Sequence, residues 1–133
     1  MFIDRLLNQG NAPVIEASVR FAAARHRLIA ENIANVDTPG YQQKDLSQAK
    51  FQQVLSERIA DRERATPGSV GFDDLAGKIE NPTAGILFHD RNNRSMEQLM
   101  TDGAKNALFH NMLTELLRRQ FGAIELALKE RVA

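Results

Sequence analysis

The chain has 133 residues, which is enough for one small domain, and its 17 basic and 17 acidic residues give a formal net charge of zero. This balance argues against general binding to nucleic acid, and the absence of cysteine excludes disulfides, thiolate catalysis and cysteine-ligated zinc. No apolar run approaches the length of a membrane span, and the start, MFIDRLLNQGNAP, lacks the apolar core of a cleaved signal peptide. We therefore expect a protein that is not integral to a membrane and that, if exported, uses a route without such a signal.

A first long helix is predicted over residues 13–35. Pro13 suits the first turn of a helix, and apolar residues then recur at alternating spacings of four and three, as in the seam of a coiled coil. The predicted seam consists of Ile15, Val19, Ala22, His26, Ile29, Ile33 and Val36.

The stretch NIANVDTPGY, residues 32–41, predicts where this helix stops. Pro39 lacks the N–H that a helix needs and disfavours helical geometry at Thr38. Pro39 followed by Gly40 is typical of a type II turn with positive φ at the glycine, and Asp37 can accept a local backbone hydrogen bond. We interpret the motif as a fixed change of direction, formed by Asn32, Asn35, Asp37, Thr38, Pro39, Gly40 and Tyr41.

A second, shorter helix is predicted after the turn, with Asp45 as its N-cap, Gln48 three residues later and an end near Arg62. Its apolar face is Phe51, Leu55 and Ile59. Glycine and proline then punctuate residues 65–94, for which we predict a flexible loop with at most a short strand at 85–89.

The last segment predicts one long helix over residues 95–131, capped by Ser95, with basic residues crowded at its end as the helix dipole favours. Its core stripe includes Leu113, Leu117, Phe121, Ile124 and Leu128. A second apolar flank of Leu108, Met112 and Leu116 suggests contact with more than one neighbour. The chain therefore predicts an all-α fold in three segments: 1–64, 65–94 and 95–133.

Sequence patterns for chemistry are missing. The histidines at 26, 89 and 110 are far apart and match no metal-binding spacing, and the glycines match no phosphate-binding loop. We predict no catalytic, cofactor-binding or metal-binding residue. Because one neighbouring helix would bury only part of the first seam, we expect burial to be completed against other subunits.

Two stretches resemble a known family. NIANVDTPGYQQKD, residues 32–45, resembles the signature of flagellar basal-body rod proteins, which is shared with hook and other axial proteins. The ending NMLTELLRRQFGAIELALKE resembles the C-terminal helix of the proximal rod members, as does the pattern D-T-P-G-Y-x-x-x-D from Asp37 to Asp45.

This resemblance implies a structural subunit whose long terminal helices pack as an antiparallel, coiled-coil-like pair, within and between subunits, in the wall of a helical tube that transmits torque. It implies export through the flagellar type III apparatus without a cleaved signal peptide, and a place in the periplasmic rod of the basal body. The implied partners are other copies, other rod proteins and basal-body components at the export-gate end, with no nucleic acid.

Two other classes stay open. A small helical adaptor or secretion chaperone would also show amphipathic helices without chemistry, but would fold as a discrete monomer or dimer. A small enzyme of unfamiliar type would need polar groups converging in a pocket.

Overall fold

The computed structural model describes residues 7, 8, 10–80, 86–89 and 94–132. Within these residues the chain forms four helices and one two-stranded antiparallel sheet, so the all-α prediction is confirmed. In chain order the elements are α1 (Ala12–Ala34), β1 (Lys44–Leu46), α2 (Gln48–Arg64), α3 (Asp74–Glu80), β2 (Leu87–His89) and α4 (Met96–Val132).

The two long helices pack side by side and antiparallel. Gly103 lies against Ile29, the amide of Asn106 donates to the carbonyl of Ala22 at 2.8 Å, and Gln120 lies beside Gly10. Residue numbers therefore rise along α4 as they fall along α1, which defines the direction of the pair. The helix starting at Met96 carries a reciprocal cap, because Gln98 N–H donates to Ser95 Oγ while Gln98 Oε1 accepts from Ser95 N–H.

The other face of α1 is covered by the rest of the chain. The ring of Phe21 stacks on that of Phe51 of α2, with centroids 4.2 Å apart. Around this pair lies one core formed by Ala17, Phe21, Leu28, Leu46, Phe51, Phe72, Leu75, Ile79 and Ile86. The first helix is thus buried on two sides, toward α4 and toward what we call the outer module (β1, α2, α3 and β2).

The middle segment differs from the expected loop because it contains α3. Phe72, Leu75 and Ile79 are 2–6% exposed, and their spacing of three and four places them on one face of a helical turn. The strand Leu87–His89 pairs with β1, with Asp45 opposite Phe88. The predicted strand began at residue 85, which lies outside the described residues.

The N-cap of α2 also differs from the prediction. Ser47, not Asp45, occupies the cap, and its hydroxyl accepts from Lys50 N–H at 3.2 Å. Asp45 lies in β1 instead and is 2% exposed. Its carboxylate has a different role, which is described below.

Candidate functional site

The predicted turn motif forms a β-turn from Thr38 to Tyr41. Tyr41 N–H donates to Thr38 O at 3.2 Å, and Gly40 has φ 74° with Pro39 before it. These features match a type II turn. Asn35 supports the turn from the helix end, since its side-chain oxygen accepts from the Thr38 hydroxyl at 3.3 Å.

Asp37 is exposed, and within the described part of the chain its carboxylate accepts no hydrogen bond. The local bond expected from Asp37 is therefore not formed. Thr38 N–H donates to Asn35 O at 3.0 Å, so backbone contacts take the place that the side chain was expected to fill.

Asn32, near the end of α1, hydrogen-bonds to the strand that follows the turn. Its side chain is buried, donates to Lys44 O at 2.7 Å and accepts from Lys44 N–H at 3.0 Å, so the amide acts as a short strand partner for β1. The Tyr41 hydroxyl donates to the same Asn32 oxygen at 3.4 Å. Burial, followed by the nearby charge of Glu31, raises the pKa of Tyr41, which keeps this hydroxyl protonated as a donor.

Gln43 forms a second clamp of the same kind at the start of α4. Its buried side chain donates to Arg94 O at 3.0 Å and accepts from Arg94 N–H at 2.9 Å. A third buried amide, Asn106, joins α4 to α1. Each of these amides satisfies backbone groups that would be costly to bury unpaired.

Asp45 lies at the centre of an ionic network that joins three elements. Its carboxylate accepts from Arg25 Nε of α1 at 2.9 Å, from Arg94 Nη1 at 2.8 Å and from Leu46 N–H at 2.7 Å. The same Arg94 nitrogen lies 3.0 Å from Asp102 of α4. Burial alone would raise the pKa of Asp45, but the hydrogen bonds and charges of the two arginines outweigh it and lower that pKa overall.

The turn, the amide clamps and the ionic network have one shared effect. They join the end of α1, the first strand and the start of α4, and so tie the outer module to the helix pair in addition to the apolar contact of Phe21 with Phe51. The angle between the module and the pair is therefore fixed by buried polar contacts with directional geometry.

The predicted seam is buried at several positions near its middle, although His26 is exposed there, and it is exposed at its distal end. Ala22, Ile29 and Leu113 are buried, whereas Phe121 is 44% and Leu128 51% exposed. The half-buried members are Ile15, Val19, Ile33, Leu117 and Ile124. The exposure has a geometric cause, since α1 spans about 35 Å and α4 about 56 Å at 1.5 Å per residue, so α4 extends past the beginning of α1.

A second exposed apolar strip lies on α4 away from α1. Leu108 is 71%, Met112 54% and Leu116 41% exposed, and their spacing of four residues aligns them along the helix. We call these three residues the ridge. Contiguous exposed apolar surface of this kind marks sites of association.

Two open cavities have volumes of about 430 Å³, beside Arg94, Gln98 and Lys105, and about 320 Å³, beside Arg20, Ala23 and Ile79. Across the described ranges no group of three or more histidine, aspartate or glutamate side chains is placed to hold a metal ion. None of the described helices is long and apolar enough to cross a membrane.

Comparisons with known proteins agree with this geometry. The family model for flagella basal body rod proteins matches residues 22–42, which contain the end of α1 and the turn. A flagellar basal body rod protein FlgB of Bacillus subtilis is 26% identical over 126 residues, covering 92% of this chain and 95% of the relative. The FlgB proteins of Borrelia hermsii and Salmonella typhimurium are each 29% identical, over 79% and 80% of this chain and 85% and 88% of the relatives. No solved structure matches the chain significantly.

The matched family segment coincides with the turn motif, and the relatives align along most of both chains. The chain is therefore similar to flagellar basal-body rod proteins in its turn motif and along most of its length.

Proposed function

We propose that this chain is a structural subunit of the bacterial flagellar basal-body rod. It polymerises through α1 and α4 into the helical tube that transmits torque and surrounds the export channel. Similarity to flagella basal body rod proteins supports the structural role.

The observation that carries the proposal is the apolar surface of α4. The ridge and the distal seam residues Phe121 and Leu128 are each more than 40% exposed. A monomer in water would be destabilised by leaving this much aligned apolar surface uncovered, whereas packing against further helices removes it from water. An assembly in which every α4 has more than one neighbouring helix would bury these apolar side chains.

The proposal extends to route and partners. The subunit passes through the flagellar type III export apparatus without a cleaved signal peptide and joins the rod in the periplasmic space. There it contacts other copies of itself, other rod proteins and basal-body components at the export-gate end. The similarity to flagellar basal body rod proteins supports this route and these partners.

The test is complementation of a bacterium from which the gene has been deleted. Tagged wild-type chain should restore motility and be found by mass spectrometry in purified basal bodies. Phe121→Asp should abolish incorporation because it places a charge on the distal seam. Gln52→Asp, an exposed change on α2 of the outer module, is the control and should leave incorporation intact. A chain that stays in the cytoplasm as a discrete dimer, with motility unaffected by its loss, would contradict the proposal.

A further inference from the structure

We propose that the ridge of one copy docks, antiparallel, into a groove on α1 of a second copy, in a register set by two ion pairs. This inference rests on the proposed function and adds the contacting faces and their alignment. The groove is the 320 Å³ depression between α1 and α3, lined by Arg20, Ala23, Ala24, Arg27, Ala76 and Ile79.

The two surfaces are complementary in shape. The ridge consists of large side chains that project from α4, and the floor of the groove consists largely of small alanine side chains. The ridge is about 130° around α4 from the residues that face α1 of the same copy, at about 100° per residue. Ridge and groove therefore lie on different faces of one molecule, and a contact between them is head-to-tail, which generates an open polymer when the rotation does not close a ring.

The direction of the contact follows from that polymer. In a tube whose copies all point the same way along its axis, α4 of one copy runs antiparallel to α1 of its neighbour, just as it does within a copy. Placing Met112 opposite Ala23 in this direction puts Leu116 opposite the half-buried Val19 and Leu108 opposite the aliphatic stem of Arg27.

The same register opposes unlike charges. Each helix carries a glutamate followed four residues later by an arginine, Glu16–Arg20 on α1 and Glu115–Arg119 on α4, and each pair is bonded within its own helix. Antiparallel alignment with Met112 opposite Ala23 places Glu115 opposite Arg20. It also places Arg119 opposite Glu16. All four side chains are about half exposed or more, so they can exchange partners between copies.

Reversal of whole ion pairs tests the register. One variant carries Glu16→Arg with Arg20→Glu, and the other carries Glu115→Arg with Arg119→Glu. Each retains its net charge and the i,i+4 ion pair within its own helix, and the α4 reversal removes only the exposed 3.6 Å pair between Glu115 and Arg118, so circular dichroism should stay close to that of the wild type. Each alone opposes like charges at the contact, and its incorporation into basal bodies should fall about tenfold.

Combining the two reversals restores unlike pairs and should restore incorporation, whether all four changes are on one chain or the two variants are produced together. Folded single-pair variants that assemble as well as wild type, or a folded combination that stays defective, would overturn the register. If the wild-type chain itself is absent from basal bodies, the proposed function has failed. If the wild-type chain is incorporated normally and the charge reversals do not change incorporation, only this inference has failed.

Cross-linking gives a second readout that does not depend on the reversals, because the chain has no native cysteine. Cells producing Ala23→Cys and Met112→Cys as separate chains should form the mixed disulfide in isolated basal bodies after mild oxidation. Asn111→Cys is the matched control, since residue 111 points about 100° away from the ridge, and should cross-link at least about tenfold less with Cys at 23. Equal cross-linking of the two α4 positions, or none at 112 in incorporated chains, would overturn the docking geometry.

Discussion

Asp45→Asn isolates the ionic network at the base of the outer module. The substitution keeps the size of the side chain but removes its charge and replaces one acceptor oxygen with a donor. In the wild type the carboxylate accepts from two arginines and a backbone N–H. In the variant the side-chain nitrogen of the asparagine would face one of these donors. Arg25 and Arg94 would then lose the negative charge of the Asp45 carboxylate.

The expected cost follows from burial. Asp45 is 2% exposed, and removing one partner of a buried ion pair costs about 3–5 kcal/mol. The side chains of Arg25 and Arg94 keep 15% and 25% exposure, so water can reach them and reduce the penalty. We therefore expect a loss of about 2–4 kcal/mol in the free energy of unfolding, measured by urea titration with circular dichroism.

Asp74→Asn is the matched control. Asp74 also pairs with an arginine, Arg58 at 2.6 Å, but its side chain is 52% exposed. Exposed pairs contribute about 0.2–1 kcal/mol, so the same chemical change should cost much less here. Equal losses at both positions would refute the conclusion that the buried network fixes the module.

The same network predicts a pH dependence. Because the folded pKa of Asp45 is lowered, its contribution is fully present above the unfolded value of about 3.9 and is lost as the pH falls through the folded pKa. The difference in unfolding free energy between wild type and Asp45→Asn should therefore narrow below about pH 4. A difference that stays constant from pH 7 to pH 3 would contradict the ionised state of this carboxylate in the fold.

Further variants test the turn, the amide clamp and the two faces of the helix pair. Gly40→Val should lower the free energy of unfolding by about 1–3 kcal/mol. The cause would be backbone strain alone, because φ is 74° and no atom lies within 4 Å of the added Cβ. Gly40→Asn should be milder, and equal urea midpoints for the two variants would exclude the strain. Gln43→Ala removes both hydrogen bonds to the backbone of Arg94, just before α4, and should lower the free energy of unfolding by about 1–3 kcal/mol. The exposed neighbour change Gln42→Ala should be near neutral in the same titration. Ile29→Asp buries a charge and should lower the free energy of unfolding by several kcal/mol. Leu108→Asp should change that free energy by no more than about 0.5 kcal/mol but should reduce incorporation into basal bodies. The reverse pattern would contradict the assignment of Ile29 to the core and of Leu108 to the assembly surface.

The long helices were predictable because their signals are local and repeated. Six seam positions along α1 keep the spacing of a helix, with the seventh, Val36, just beyond its end, and Ser95 with Gln98 forms the expected type of cap. The boundaries of α1 and α4 differ from the predicted 13–35 and 95–131 by one residue at each end. Turn residues with strong backbone preferences, Pro39 and Gly40, likewise specify their own conformation.

The ionic network was not predictable from spacing. Asp45 precedes a helix and has Gln48 three residues later, so it fits an N-cap pattern, but Ser47 occupies the cap. The partner Arg94 lies 49 residues away, a distance over which no sequence periodicity operates. Gln43 and Asn106 are likewise polar residues whose burial depends on the tertiary fold.

The sequence contains a helical pattern for α3, but neighbouring glycines favoured a loop in the prediction. Phe72, Leu75 and Ile79 follow helical spacing, but Gly71 and Gly77 beside them favoured a loop. Because α3 and α2 cover the second face of α1, that helix is buried more fully within the chain than one neighbouring helix would allow. The apolar surface that remains for other subunits is concentrated on α4.

Burial of α4 on assembly is tested most directly by the reactivity of a cysteine placed at position 108, where Leu108 is 71% exposed in the free chain. Leu108→Cys introduces the sole thiol of the protein, so maleimide labelling reports that position alone. In the purified subunit, Cys at 108 should label as fast as a Gln52→Cys control on α2. In purified basal bodies, labelling at 108 should slow by about tenfold or more because the ridge is covered by a neighbouring copy. A thiol at 108 that reacts equally fast in the free subunit and in the basal body would contradict assembly through α4.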